Sequence, residues 1–155
     1  MSRSTYIEGE HIKKIHDFCA SRAEIILACL FGSQATGKAG PLSDTDLAFL
    51  IDASMIDNRD HPYGYQAHLT TELIRILSTN DVDVIILNQA PILLKFSVVH
   101  QGRLIYCRSR KQWLDFYLKI FNEYQDFRPM IAVQNKYLIE RMKKTQKSAG
   151  GVNSW

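Results

Sequence analysis

A glycine-serine pair at the end of an apolar run, followed by two aspartates, constrains the fold of this 155-residue chain more than any other feature. The apolar run Ile25–Phe31 stops at Gly32 and Ser33, and ten residues separate that pair from Asp44. A short apolar run that stops at glycine is typical of a central strand buried on both faces. The small polar residues that follow indicate a loop. We therefore expect a strand, a loop and a second strand that begins at the aspartates.

Three aspartates are candidate metal ligands and catalytic residues. Asp44 and Asp46 lie at the start of the predicted strand Thr45–Ile51, and Asp83 lies in a third apolar run, 82–87. Side chains two residues apart on a strand point to the same face, and neighbouring carboxylates repel unless a cation lies between them. Mg²⁺ prefers oxygen ligands and leaves room for phosphates and water. If the third strand pairs beside the second, Asp83 completes a site for two ions about 4 Å apart.

Gly32 and Ser33 are the candidate phosphate-binding residues. Glycine permits close backbone approach, and exposed N–H groups in a turn form an anion-binding nest. The Ser33 hydroxyl can add a donor to the β- or γ-phosphate of a nucleotide. Alone, a glycine-serine pair is a commonplace turn, but combined with carboxylates at this offset it is a strong signal. Together these residues predict a magnesium-dependent nucleotidyltransferase.

A competing motif overlaps this loop. The run from Gly32 to Lys38 fits the first seven positions of a P-loop, but the eighth, which should be Ser or Thr, is Ala39. A P-loop also leads directly into a helix, whereas this chain continues into Gly40 and Pro41, which oppose one. We therefore reject the P-loop interpretation.

The middle of the chain alternates helical and extended patterns. We predict an amphipathic helix over about 6–22, a helix marked by apolar residues at 69, 73, 76 and 77, and a short edge strand over Leu104–Tyr106. Pro91 suits the first turn of a short helix, and Gly102 suits the left-handed residue after it. These elements predict an α/β fold, with a small mixed sheet flanked by helices.

The C-terminal part carries an aromatic stripe at helical spacing, made of Trp113, Phe116, Tyr117, Ile120, Phe121 and Tyr124. Such a stripe is more often core than a docking surface. Pro129 predicts a helix break, a last helix is expected over Ile131–Met142, and residues 147–155 read as a loose tail. We accordingly predict one domain over residues 1–146.

Composition and charge narrow the class of protein. The hydrophobic fraction of 46% is sufficient for a core, and no apolar run approaches the length of about 20 residues that a membrane helix needs. Residues 1–102 carry a net charge of −4 and residues 103–155 a net charge of +7. The start of the chain lacks the pattern of a signal peptide, and Cys19, Cys29 and Cys107 lie in apolar surroundings. We expect buried thiols and a cytoplasmic protein.

The motif resembles the signature of the DNA-polymerase-β-like nucleotidyltransferase superfamily, with Gly32-Ser33, ten residues, then Asp44-Thr45-Asp46. The strand 82–85 and the run from Leu87 to Phe96 resemble, more narrowly, the minimal nucleotidyltransferases. Among these, the chain is similar to the MntA-type antitoxins, which pair with HEPN-domain ribonuclease toxins. The resemblance covers about residues 10–145.

This resemblance implies a function and a role for each residue of the motif. It implies ATP with Mg²⁺ as substrate, transfer of AMP to a tyrosine of the partner toxin, and a hetero-oligomer with that toxin, with no nucleic acid required. Asp44 and Asp46 would be the paired metal ligands. Asp83 would be the third acid, which binds metal and helps to take the proton from the attacking hydroxyl. Gly32 and Ser33 would hold the phosphates.

Two alternatives stay open at this point. The first is nucleotidyl transfer to a small molecule or an RNA 3′ end, although the chain has little room for the extra domains that hold large substrates. The second is an antitoxin that neutralises its partner by covering it, with the aromatic stripe and the basic C-terminal half as the contact surface.

Overall fold

The computed structural model describes the backbone of residues 9–32 and 45–152, and the side chains of these residues except 130–139 and 142–152. The chain divides into two compact units, residues 1–120 and residues 121–155. The first unit contains the sheet and the helices that pack on it. The described part of the second unit is helical throughout.

Four strands and four α-helices make up the described chain. In order they are α1 Gly9–Ala20, β1 Ile25–Phe31, β2 Thr45–Ile51, α2 Tyr65–Leu77, β3 Val82–Ile86, α3 Ile92–Gln101, β4 Arg103–Cys107 and α4 Arg110–Val152. Short 3₁₀ turns cover Ala53–Met55, Asn58–Asp60 and Leu87–Gln89. The predicted strands match the observed ones closely, since each apolar run in the sequence is bounded by turn-forming residues.

The strands form one mixed sheet in the order β3-β2-β1-β4. Strands β2 and β3 run parallel, and β1 pairs antiparallel with both β2 and β4. Helix α2 provides the crossover that a parallel pair requires. The mixed sheet flanked by helices is the predicted α/β fold, and β4 lies at an edge as expected from its length.

Both faces of the central strands are covered, as the continuous apolar runs predict. One core cluster joins α1 and α2 to the sheet and includes the fully buried residues Ile15 and Leu69. The other cluster includes Cys29 and Val98, and Trp113 and Phe116 pack against it. The first turns of the aromatic stripe are therefore core, which is the interpretation that the sequence favoured.

Two of the three thiols that were predicted to be buried are buried, and the third, Cys107, is only half-buried. Cys19 and Cys29 are buried and free of disulfides, and Cys107 is a half-buried free thiol. Burial raises the pKa of Cys19 and of Cys29 to about 12, so both thiols stay protonated at neutral pH. Across the described ranges, no helix combines the length and the low polarity needed to cross a lipid bilayer.

Gly102 departs from the expected conformation. Its φ of −74° is an ordinary extended value, so the prediction of a left-handed residue after α3 is wrong. A Cβ at this position would collide with the carbonyl oxygen of Val98 and would lie 3.0 Å from that of Leu30. Close packing between α3 and β1 therefore explains the glycine, rather than its conformational freedom.

Helix α4 continues through Pro129, so the predicted break at this residue is wrong. Proline removes one backbone hydrogen bond and crowds the preceding turn, which costs roughly 3 kcal/mol in a helix interior. The backbone is helical on both sides of it, and residues 147–152 are helical too. The boundary of the domain at residue 146 stays a prediction.

Candidate active site

Asp46 and Asp83 lie directly opposite each other at the start of the two parallel strands. The pairing of β2 with β3 sets Asp46 against Asp83, between the pairs Thr45–Val82 and Leu47–Val84. Neighbouring strands lie about 4.8 Å apart, and residues in register point to the same face. The structure thus brings together two of the three aspartates that the sequence singled out.

A backbone hydrogen bond fixes this register at the entry to the strands. The N–H of Thr45 donates to the carbonyl oxygen of Asp81 over 2.8 Å. The N–H of Asp81 donates in turn to the Thr79 hydroxyl over 3.2 Å, which makes Asp81 part of the turn after α2. No pattern in the sequence predicts that Thr45, which is 8% exposed, holds the register.

Gly32 lies against the carboxylate of Asp46. Phe31, the preceding residue, is the register partner of Asp46 on the other side of β2. Gly32 has a φ of +71°, and a Cβ at this position would collide with the Oδ2 atom of Asp46. A side chain is therefore excluded both by backbone conformation and by space. The sequence predicted close backbone approach at Gly32, but not that the Asp46 carboxylate itself would be the neighbour.

The two remaining predicted site residues, Ser33 and Asp44, lie outside the described residues. Their roles stay predictions. Among residues 9–32 and 45–152, no group of three or more histidine, cysteine or acidic side chains is arranged to hold a metal ion. Asp46 and Asp83 account for two carboxylates, and the third predicted ligand is Asp44.

The oxygen donors that are described suit Mg²⁺. This ion is commonly held by one or two carboxylates together with substrate phosphates and water, rather than by a complete protein cage. Asp83 is exposed and Asp46 is half-buried, so the pair opens to solvent at one end of the sheet. The two carboxylates lie on adjacent strands, on one face of the sheet and open to solvent. This arrangement suits a hard cation that also binds the phosphates of a ligand.

Among the described residues, Asp83 has no cationic side chain that compensates its charge. Within the described part of the chain, no lysine or arginine forms a salt bridge with Asp83, while Arg22, Arg59 and Arg75 all pair with other carboxylates. The negative charge at the start of β3 is thus available to a ligand.

Residues 13–111 match the family described as "Polymerase beta, Nucleotidyltransferase". The chain belongs to the polymerase beta nucleotidyltransferase family. The match spans β1 to β4 and includes Gly32, Asp46 and Asp83, so the predicted superfamily is confirmed.

Solved structures similar to this nucleotidyltransferase come from toxin–antitoxin complexes. One, a toxin–antitoxin with AMP-PNP, is 26% identical with a TM-score of 0.64, over 85% of this chain and 98% of that chain. Another, a mutant of the MntA-HpeT toxin–antitoxin, is 26% identical with a TM-score of 0.59, over 86% and 95%. A search of curated proteins finds no match.

A third similar structure contributes to the fold assignment alone. It is a tri-AMPylated HEPN toxin of Shewanella oneidensis in complex with an MNT antitoxin. The identity is 24% and the TM-score 0.59, over 86% of this chain and 97% of that chain. The two similar structures of 26% identity are toxin–antitoxin complexes, which is the class of protein that the sequence resemblance predicted.

Proposed function

We propose that this nucleotidyltransferase is an antitoxin that transfers AMP from ATP to a tyrosine hydroxyl of a cognate HEPN-domain toxin. The observation that carries the proposal is the register pair Asp46–Asp83 beside the glycine turn at Gly32. The similarity to a toxin–antitoxin structure with AMP-PNP supports ATP as the nucleotide and a toxin as the partner.

In this reaction the tyrosine oxygen attacks the α-phosphorus of ATP, and the bond from that phosphorus to the bridging oxygen breaks. Pyrophosphate leaves, and the hydroxyl proton passes to a carboxylate. Asp83 suits the role of proton acceptor because its side chain is exposed on an edge strand, where an incoming hydroxyl can reach it.

Asp46 and Asp83, together with Asp44, would hold Mg²⁺. When bound, the ion supplies charge that offsets the negative charge on the phosphates and on the leaving pyrophosphate. The contribution of the protein is to fix the carboxylates in one geometry before the substrate arrives. Phosphoryl transfer depends mainly on such positioning and electrostatics, since little covalent chemistry falls to the protein.

The turn at Gly32 and Ser33 would hold the β- and γ-phosphates. Gly32 follows β1 directly and has the positive φ typical of anion-binding turns. Its contact with the Asp46 carboxylate keeps this turn beside the metal ligands. The phosphates and the ion are thereby held next to each other.

Intact mass spectrometry of a HEPN-domain toxin co-expressed with this protein tests the proposal. We expect wild-type protein to add the mass of one or more AMP groups, located on tyrosine by peptide mapping, and the Asp46→Asn variant to add none. The Glu72→Gln variant serves as a control because Glu72 lies on α2, where it pairs with Arg22 and Arg75. Unmodified toxin with the wild-type protein, or AMP addition by Asp46→Asn, contradicts the proposal.

Neutralisation by binding is a second candidate, favoured by one observation. Leu114 and Leu118, one helical turn apart on α4, are 49% and 55% exposed. Exposed leucines at this spacing can contact a partner surface. Toxin that is silenced equally by wild-type protein and by Asp46→Asn, without AMP addition, favours binding over chemistry.

We propose a cytoplasmic site of action, supported by the three free thiols at Cys19, Cys29 and Cys107. We also propose that residues 1–146 act as one functional domain.

A further inference from the structure

A cavity of about 660 Å³ lies at the C-terminal ends of β2 and β3. Ile85 and Ile86 of β3 form one wall, Gln66 of α2 forms another, and Ala53 and Leu94 border it from the 3₁₀ turn after β2 and from α3. All of these residues belong to the unit that contains the sheet. The volume falls within the range of about 300 to 1,000 Å³ that is typical of ligand sites.

This cavity begins close to Asp83. Ile85 follows Asp83 by two residues on β3, so the two side chains share a face of the sheet. A strand rises about 3.3 Å per residue, which places Ile85 roughly 7 Å from Asp83 along the strand. Because β3 is an edge strand, no further strand in the described chain separates this region from solvent.

The described residues that line the cavity include no charged side chain. Apolar groups alternate with the amides of Asn58, Gln66 and Gln89, and the Tyr63 side chain stands at the rim, 91% exposed. The Gln66 amide donates to the carbonyl oxygen of Val84 over 2.7 Å, which covers part of the strand edge. Such a lining does not suit a triphosphate, but it suits a polypeptide, which presents apolar side chains together with N–H and C=O groups.

The order of elements across the sheet favours one of the two substrates at this cavity. Gly32 follows β1, Asp46 is on β2, Asp83 is on β3, and the cavity lies at the end of β2 and β3. In a phosphoryl displacement the attacking and leaving oxygens are roughly in line on opposite sides of phosphorus. If pyrophosphate leaves towards the turn at Gly32, the attacking hydroxyl arrives from the β3 side.

We propose that this cavity is an acceptor groove, which binds an uncharged segment of the acceptor polypeptide adjacent to its reactive hydroxyl. The inference rests on the proposed function and adds the surface that selects the acceptor. The groove positions the chain along the β3 edge, so that the hydroxyl lies beside Asp83. The nucleotide, in this arrangement, makes its contacts on the β1 side.

A tryptophan placed in the groove tests the proposal. Ala53 is exposed and borders the cavity, so Ala53→Trp fills it without disturbing the core; Ala20→Trp, at an exposed alanine that ends α1, is the matched control. The assay measures KM for the HEPN-domain toxin and, separately, the affinity for AMP-PNP with Mg²⁺. We expect Ala53→Trp to raise the KM for toxin by about tenfold or more while AMP-PNP affinity stays within about twofold. Ala20→Trp should change neither.

The outcomes separate this inference from the proposed function. Wild-type protein that transfers no AMP to toxin overturns both. Wild-type transfer with an unchanged KM in Ala53→Trp overturns the groove alone, and so does an equal loss of AMP-PNP affinity, which would assign the cavity to the nucleoside. Should Ala53→Trp unfold at a lower temperature than wild type, Gln89→Glu, at an exposed position on the rim, replaces it with the same expected change in KM.

Discussion

Two groups of acidic side chains on this fold differ in what surrounds them. On the α2 side, Glu24 and Glu72 each lie within 4 Å of the Arg22 guanidinium, at 3.8 Å and 3.6 Å, and the Tyr65 hydroxyl donates to Glu24 over 2.9 Å. At the start of β2 and β3, Asp46 and Asp83 face each other in register, and no described cation forms a salt bridge with Asp83.

The difference distinguishes carboxylates that pair within the chain from the carboxylates that we propose bind metal. Glu24 and Glu72 have their charge compensated inside the chain, so their removal should affect stability. Asp83 has no salt-bridge partner among the described residues and lies in register with Asp46, and like charges on neighbouring strands cost folding free energy unless a cation offsets them. A solvent-accessible pair of like charges that lowers the stability of the fold is typical of a site that binds a cation.

The largest expected effect follows from neutralising one member of each group. We expect Asp83→Asn to lower the rate of AMP transfer by about a hundredfold or more, because a charge that acts in the transition state is lost. Its free energy of unfolding should stay equal or rise, since the repulsion from Asp46 is relieved. Glu72→Gln should show the reverse, with transfer retained and stability reduced. Transfer rates and urea unfolding, measured on both variants, check these expectations. If Glu72→Gln is as inactive as Asp83→Asn, the distinction between the two groups of carboxylates is wrong.

Gly32→Ala should lower both the free energy of unfolding and the rate of AMP transfer. The new Cβ would collide with the Asp46 carboxylate and would also require a residue with φ of +71°. Strain of this kind costs about 1–3 kcal/mol, and displacement of Asp46 should lower AMP transfer by about tenfold or more. Urea unfolding and transfer rates provide the measurement. A variant with wild-type activity would show that the position of Asp46 against the turn is not important for catalysis.

A substitution of Arg22, the shared partner of Glu24 and Glu72, should change stability but not AMP transfer. Arg22→Met leaves Glu24 and Glu72 without a shared partner and removes the guanidinium from the Phe18 ring, 5.1 Å away. Because the Arg22 side chain is 31% exposed, solvent screens part of the loss, and we expect about 1 kcal/mol of destabilisation. AMP transfer at a temperature where the variant is folded should equal that of wild type. Reduced AMP transfer under those conditions would link Arg22 and its two glutamate partners to the active site.

The smallest expected effect is on the pH dependence of the unfolding free energy. Burial lowers the pKa of His68 below its ordinary value of 6.5, and the nearby His61 and Arg22 act in the same direction. Protonation therefore favours the unfolded chain, so this contribution to stability is complete above pH 6.5 and is lost as the pH falls below it. We expect the unfolding free energy to decline between pH 7 and 5, and less steeply in His68→Gln than in a control such as His100→Gln. Equal slopes in the two variants contradict this assignment.

The local elements of the fold could be predicted because their signals are local. The runs Ile25–Phe31 and Thr45–Ile51 are apolar, of strand length and bounded by turn residues, and the structure has strands with those bounds. The interpretation of Asp44 to Asp46 as one motif likewise needs no more than the alternation of side chains along a strand.

Other features depend on contacts that no local pattern encodes. The register of Asp46 against Asp83 is set by pairing between residues 37 positions apart, and the collision that excludes a side chain at Gly32 arises from a different strand. Pro129 has a strong local preference against a helix interior, yet the helix around it continues. The acceptor groove combines residues from β3, α2, α3 and a 3₁₀ turn, whose positions follow only from the assembled fold.

The central claim is that the pair Asp46–Asp83 binds the metal–nucleotide complex. Isothermal titration calorimetry of AMP-PNP, with and without Mg²⁺, tests it most directly in wild-type protein, in the double variant Asp46→Asn/Asp83→Asn and in Glu72→Gln. We predict binding that requires Mg²⁺ in wild type and Glu72→Gln, and that is lost in the double variant while its fold is retained. Binding of equal strength in the double variant, or binding indifferent to Mg²⁺ in wild type, would contradict the account.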